Sequence, residues 1–420
     1  MPTRSHLRHS LLLVMLILTA ASAQADGPVR ETLDGVVHVK NGAQPTGGTE
    51  ALRMAEQWRV GGEDDEEILF GLIPRACSDA DGNVYVLDSQ LNQVLVFSPA
   101  GDLLRTLFRE GEGPGEIRQP RDMMVLGDGR VGVVQEFPGV LIFVESDGTP
   151  AGRVKIGGTE GGIFSLTGCD AAGDHVILSG STQSPGDTPG TSNRDYFLAS
   201  VDDQGMETQH YCGSRGIYDF NAFQFREREH TPPFWFTFAA GADGRTCVAP
   251  ERDTYAIQVF SPDGQMDMVI ERDFEPIDRS DQEYAETRAI YESALTSLPV
   301  DYTLEIERQA SAVAFLQRGL RIRDDGTIWA LSGRGIRNLP AGVLAVFDVF
   351  DRSGEFVKQV ELHGPGDALK DGIFFVGDDR VVVVKGYMES LAAQFGSGTT
   401  ASEDGDSESY LAVISYQLGK

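Results

Sequence analysis

Cysteine, histidine, tryptophan and basic charge are all scarce in this 420-residue chain: it has 4 Cys, 7 His, 3 Trp and 35 Lys and Arg against 64 Asp and Glu. The shortage of basic residues leaves a formal charge of -29. Such a surface repels phosphate backbones, so nucleic acid is excluded as a partner. The four cysteines, Cys77, Cys169, Cys212 and Cys247, match no zinc spacing. In an oxidising compartment they would permit three disulfide connectivities, and buried small hydrophobes on strands are an equal alternative. The histidines past the N-terminal region, His38, His175, His210, His230 and His363, form no paired metal motif, and no Gly-x-Ser-x-Gly nucleophile elbow occurs.

Long apolar runs are also missing, except at the start. "MPTRSHLRHSLLLVMLILTAASAQA" has a basic opening at Arg4 and Arg8, an apolar stretch from Leu11 to Leu18, and small residues at Ala21 and Ala23. It reads as a secretory signal over residues 1–25, too short to span about 30 Å of hydrocarbon. An exported protein, periplasmic or extracellular and without membrane insertion, is therefore expected, with residues 26–420 forming one domain.

What is present in quantity is a short β grammar. In "DGNVYVLDSQLNQVLVFSPAGDLLRTLF" (from Asp81), runs of β-branched and aromatic residues stop at a turn glycine and restart. With "LIPRACS" before them they make four short antiparallel strands. The same grammar returns in "RDMMVLGDGRVGVVQ", "SLTGCDAAGDHVILSG", "FTFAAGADGRTCVAP", "LRIRDDGTIWALSG" and "GIFFVGDDRVVVVKG", each followed by further strands. The last copy is one strand short, whereas "GVVHVK" and "AEQWRV" near the N-terminus are strands to spare. A ring of sheets closed by an N-terminal strand accounts for both ends.

The stretch "DGNVYVLDSQLNQVLVFSPAGDLL", followed by "GEGPGEIRQPRDMMV", resembles the NHL-type repeat of six-bladed β-propellers. The match is good in the first two copies, fair in the fourth and fifth, and poor in the third and sixth. The resemblance implies an all-β fold of six four-stranded antiparallel blades with an N-terminal strand closing the last. It implies little about function, since such propellers include binding platforms, scaffolds and unrelated enzymes.

If the strands of a blade are a to d from axis to rim, the a–b and c–d turns are short throughout. The long insertions, 182–193, 213–233, 275–318, 333–340 and 387–409, fall in b–c or d–a connections, and so on one face. Residues 275–318, between blades four and five, should be helical: Ser280 and Glu283 form a capping box, and Tyr284, Ile290, Tyr291 and Leu295 share an apolar side. A second helix is expected over 301–315.

"GEGPGE" lacks the spacing of a phosphate loop, and "CSDADGNVYVLD" has Cys77 where a calcium loop needs its first carboxylate. The acidic clusters "GEDDEE" and "SEDGDSES" would attract calcium weakly at most. No cofactor is expected, calcium being the one ion left open.

Counting back eight residues from each a–b turn places Pro74, Arg121, Ser165, Phe236, Arg318 and Asp371 at the channel end of strand a. Asp122, Trp235, Arg321 and Lys370 are close by. Arg121 and Arg318 belong to opposite blades, and converging guanidinium groups would favour an anionic ligand. Trp235 offers an apolar or sugar-stacking wall. The candidate ligand-binding mouth is thus Arg121, Asp122, Trp235, Arg318, Arg321, Lys370 and Asp371. The one-sided loops and the lack of a recognisable catalytic set favour a non-catalytic protein, expected to be a monomer, that binds a small molecule or a protein through the long-loop face. The alternative is a lactonase- or lyase-like enzyme with an axial divalent metal, for which one carboxylate among six ring positions is a poor cage.

Overall fold

A computed structural model describes residues 27–420 apart from 64, 66, 158–162, 173–174, 297–299, 316–317 and 395–410. The expected signal segment and the "SEDGDSES" cluster lie outside the described residues. Three N-terminal strands come first: β1 (Val29–Leu33), β2 (Val36–Asn41) and β3 (Thr49–Gly61). Four-stranded antiparallel sheets follow in chain order, each with its first strand innermost. Sheet I starts with Arg75–Ser78, sheet II with Pro120–Val125, sheet III with Ile163–Ala172, sheet IV with Phe238–Ala240 and sheet V with Leu320–Ile322. Sheet VI has three consecutive strands, Gly372–Phe375, Arg380–Lys385 and Ala412–Gly419, and takes β3 as its fourth. The arrangement is mostly β, built from small four-stranded sheets, and consistent with a β-propeller.

Alternating or continuous apolar strands bury side chains on both faces, so the core is divided into layers between successive sheets. One layer packs Tyr85, Leu87 and Val96 of sheet I on Met123, Val133 and Ile142 of sheet II. Another packs Val382 and Val384 of sheet VI on Val84, Val86 and Phe97 of sheet I. The last sheet therefore meets the first. Trp58 of β3 lies in that closing layer, and its indole packs over Gly101 (φ +94), where a Cβ would come within 2.6 Å of it.

Both spare strands are used, in different places. The segment "AEQWRV" lies within β3 and pairs antiparallel with Ala412–Gly419, while the first half of β3 runs parallel to Phe356–His363 of sheet V. The segment "GVVHVK" lies in and beside β2, which adds in parallel to the outer strand of sheet IV, Met266–Arg272. In sheet III the expected insertions at 182–193 and 213–233 begin as strand: Pro185 pairs with Ser192, and Asp219 with Thr191.

Among the described residues, three α-helices fall within the long connections. The first helix, α1, is a single turn (Glu227–His230), and α2 spans Asp281–Thr296. Its cap is reciprocal: the Glu283 amide donates to Ser280 Oγ at 3.2 Å, and the Ser280 amide to Glu283 Oε2 at 2.8 Å. The expected second helix is absent from the described part of 301–315. Tyr302–Glu305 is instead a strand paired in parallel with Phe223–Arg226, because its alternating half-buried Tyr302 and Leu304 face a separate small core with Phe223, Phe225 and Leu295. After sheet VI's second strand comes α3 (Tyr387–Gln394).

The repeat's "VLD" aspartate shows how the loops are tied down. Asp88 is fully buried, and its carboxylate accepts the amides of Gly71 (2.8 Å), Leu72 (3.2 Å), Gln90 (3.1 Å) and Leu91 (3.0 Å). Replacing Asp88 with alanine strands these donors, so it should cost about 2–4 kcal/mol. The effect would be read as a lower urea midpoint at unchanged slope.

Candidate functional site

The inner strands bring charged side chains from several sheets together where those strands meet, and these side chains are largely buried there. Arg318 sits just before sheet V in a left-handed conformation (φ 48) and reaches across the channel. Its Nη2 bonds to Asp122 Oδ2 of sheet II, and its Nη1 donates to the Cys169 carbonyl of sheet III at 3.3 Å. The Asp122 carboxylate is buried and also accepts the amides of Cys169 (2.6 Å) and Met123 (2.9 Å). Arg75 of sheet I lies 3.9 Å from Asp122 Oδ1 and 3.6 Å from Asp170 Oδ1. Asp170 Oδ2 in turn accepts the Ala240 amide of sheet IV at 3.2 Å. Two guanidinium groups and two carboxylates therefore tie five sheets together at the axis.

Of the seven residues picked from sequence, the structure joins only Asp122 and Arg318 directly. Arg121 does not converge with Arg318. The pairing of sheet II's first two strands shifts between Pro120 and Asp122, so Asp122 faces the axis while Arg121 turns to Glu136, with Nε and Nη2 at 2.7 and 2.5 Å from Oε2. Trp235 packs edge-on to Tyr196 (ring centroids 5.0 Å apart), and its Nε1 donates to the Gly180 carbonyl at 3.1 Å. Arg321 bonds to the carbonyls of Phe375 (3.1 Å) and Gly377 (2.8 Å) in sheet VI. Burial, and then the neighbouring Arg323, bring the Arg321 guanidinium down to about 10. Asp371 accepts from Lys385 Nζ at 2.6 Å, and Lys370 is exposed. Arg75 and Asp170 were missed: Arg75 is one place from the counted Pro74, and Asp170 follows a pairing shift between Leu166 and Gly168.

Two adjoining clefts open on the long-loop face between sheets I and II, of about 660 and 230 Å³. They meet at Asn92 and Gln119, both with positive φ (54 and 47), a conformation uncommon outside glycine. The smaller is bounded by Ser89, Gln90, Arg121 and Glu136. The larger is bounded by Glu110, Glu112, Arg118, Gln135, Phe137 and Arg153. Arg118 Nη1 pairs with Glu112 Oε1 at 2.7 Å, and Phe137 is 53% exposed.

All four cysteines are free thiols. Burial raises Cys77 to about 11 and Cys212 and Cys247 to about 12, which makes them poor nucleophiles at neutral pH. Among the described residues, no three His, Cys, Asp or Glu side chains group as a metal site, and no helix is long and apolar enough to cross a membrane.

No family model matches the chain, and neither does any curated protein sequence. Solved structures show distant likeness. One is named "Putative exported protein", from Bacteroides fragilis: 11% identity, 89% of this chain and 100% of that one, TM-score 0.44. A streptogramin B lyase shares 10% identity over 87% of this chain and 100% of its own, TM-score 0.40. A gluconolactonase from Xanthomonas campestris shares 10% over 84% and 87%, TM-score 0.37. These likenesses are too distant to bear on this chain's chemistry.

Proposed function

We propose that the protein is a single six-bladed propeller domain, with residues 275–318 inserted between blades four and five, that acts as a non-catalytic binding protein. Its ligand enters through the long-loop face at the cleft beside Arg121. The observation that carries this reading is the pair of adjoining clefts, whose charged side chains already stand in ion pairs: Arg121 with Glu136 and Arg118 with Glu112. Each of these carboxylates is already held by a guanidinium group, so it would have to lose that partner before it could take a substrate's proton.

The metal-enzyme alternative is disfavoured at the axis. Asp122 is engaged by Arg318 and two backbone amides, so a divalent ion there would have to displace a guanidinium group.

A thermal-shift screen of sugars, peptides and organic acids, run beside lactone and ester turnover assays with and without chelator, tests both readings. At least one class should raise the melting temperature of wild type and lose that effect in Arg121→Ala. Chelator-sensitive turnover would overturn the binding reading in favour of the enzyme.

A further inference from the structure

The two clefts between sheets I and II are lined by equal numbers of acidic and basic side chains, although the chain as a whole is acidic. Arg118, Arg121 and Arg153 stand against Glu110, Glu112 and Glu136. Glu136 takes both bonds from Arg121, Glu112 takes Arg118, and the Glu112 carbonyl is 3.4 Å from Arg153 Nη1. An anionic ligand on Arg118 or Arg121 would have to break one of these pairs and strand a carboxylate, which leaves it only Arg153, whose described contact is a carbonyl. A cationic ligand would strand a guanidinium. An uncharged ligand with many hydroxyl groups needs neither, because paired guanidinium and carboxylate groups keep outward N–H donors and oxygen lone pairs for it.

The remaining lining points the same way. Gln90, Asn92 and Gln119 add planar amides, each with a donor and an acceptor side by side, the spacing that neighbouring ring hydroxyls present. The Asn92 side chain is partly engaged, its Oδ1 accepting the Gln119 backbone N–H at 3.1 Å and its Nδ2 donating to the Gln90 carbonyl at 3.4 Å, which ties these positions to one another. Phe137, with Pro138 beside it, gives the larger cleft one exposed apolar surface. No Leu, Ile, Val or Met lines either cleft, so the pockets for apolar side chains that peptide grooves use are missing. A cleft of about 660 Å³ is within the usual range for a small organic ligand.

We infer that the two adjoining clefts form a subsite for a short neutral oligosaccharide, with one sugar ring against Phe137 in the larger, hydroxyls on Gln119 and Asn92 where the clefts meet, and the next ring on the Arg121–Glu136 pair in the smaller. The inference rests on the loop-face binding reading and deepens it by naming a ligand class.

The test is calorimetric titration of the full-length mature protein with neutral hexasaccharides (cellohexaose, maltohexaose, laminarihexaose, xylohexaose), with hexagalacturonate, and with a mixed peptide library. A neutral hexasaccharide should bind saturably, and Phe137→Ala and Gln119→Ala should each weaken it about tenfold. Both positions are exposed, so both variants should keep the wild-type melting temperature. Failure of every neutral hexasaccharide, or binding indifferent to Phe137→Ala, overturns the sugar assignment. So does preference for hexagalacturonate or peptide, but if that binding is also lost in Phe137→Ala the loop-face reading stands. Silence from all three classes removes both.

Discussion

Asp122→Ala should be among the most destabilising single substitutions in the protein, costing about 3–5 kcal/mol, the range for removing one partner of a buried ion pair. The carboxylate is buried and holds Arg318 Nη2 together with the amides of Cys169 and Met123. Once it is gone, the described contacts left to the Arg318 guanidinium are the Cys169 carbonyl at 3.3 Å and the Phe238 ring, 5.6 Å away, and it faces Arg75 with Asp170 as the remaining carboxylate. The loss is therefore mostly the cost of an uncompensated buried charge. Asp122→Leu combined with Arg318→Leu should recover much of it, because a well-packed apolar pair avoids desolvating either ion. Urea unfolding of the two single variants and the double variant closes the cycle. A coupling near zero would mean that the pair does not act as a unit at the axis.

The sheets were legible in the sequence because their signals are local. A turn glycine such as Gly82 (φ +79) or Gly129 (φ +90), flanked by runs of period two, is enough to mark a strand pair. That "AEQWRV" was a spare strand could also be read, since a chain short of one strand at its end needs one from elsewhere. The place of "GVVHVK" could not, because parallel addition to the edge at Met266–Arg272 depends only on how the folded sheet lies. Which side chains face the axis was only partly legible, for a sharper reason. Side chains alternate along a strand, so one extra residue reverses every assignment beyond it. Such a shift between Pro120 and Asp122 exchanged Asp122 for Arg121 at the axis, and another between Leu166 and Gly168 hid Asp170. At 302–305, the alternation of "YTLE" outweighed the helical reading once Phe223–Arg226 was available as a partner.

The cluster that fastens the insertion had no sequence signal, since its members come from segments far apart, and it carries the second large expected effect. Glu227 begins α1 with its side chain fully buried. Its Oε1 and Oε2 accept from Arg279 Nη2 and Nη1 at 2.6 and 2.9 Å. Arg252 Nη1 is 3.2 Å from Oε1, and the Glu307 amide is 2.8 Å from Oε2. Arg279 and Glu307 flank α2 on either side, so this carboxylate ties the α2 segment to the segment leading into sheet IV. Burial alone would raise its pKa. The Arg279 hydrogen bonds, the charges of Arg252 and Arg279, and the Glu307 amide outweigh burial and hold it below the ordinary 4.5. Because the folded value is the lower one, the stabilisation is complete above about 4.5 and is lost as pH falls through the folded value. Glu227→Gln should cost about 3–5 kcal/mol at neutral pH, as it leaves two buried guanidinium groups without their counter-charge. It should also make the acid limb of the stability curve shallower, since one of the carboxylates held below its ordinary value is gone. Hydrogen exchange at neutral pH should show faster opening of Asp281–Thr296 in the variant, while strands of sheets I and II keep their protection. If those strands lose protection together with α2, the cluster would be holding the whole domain rather than the insertion.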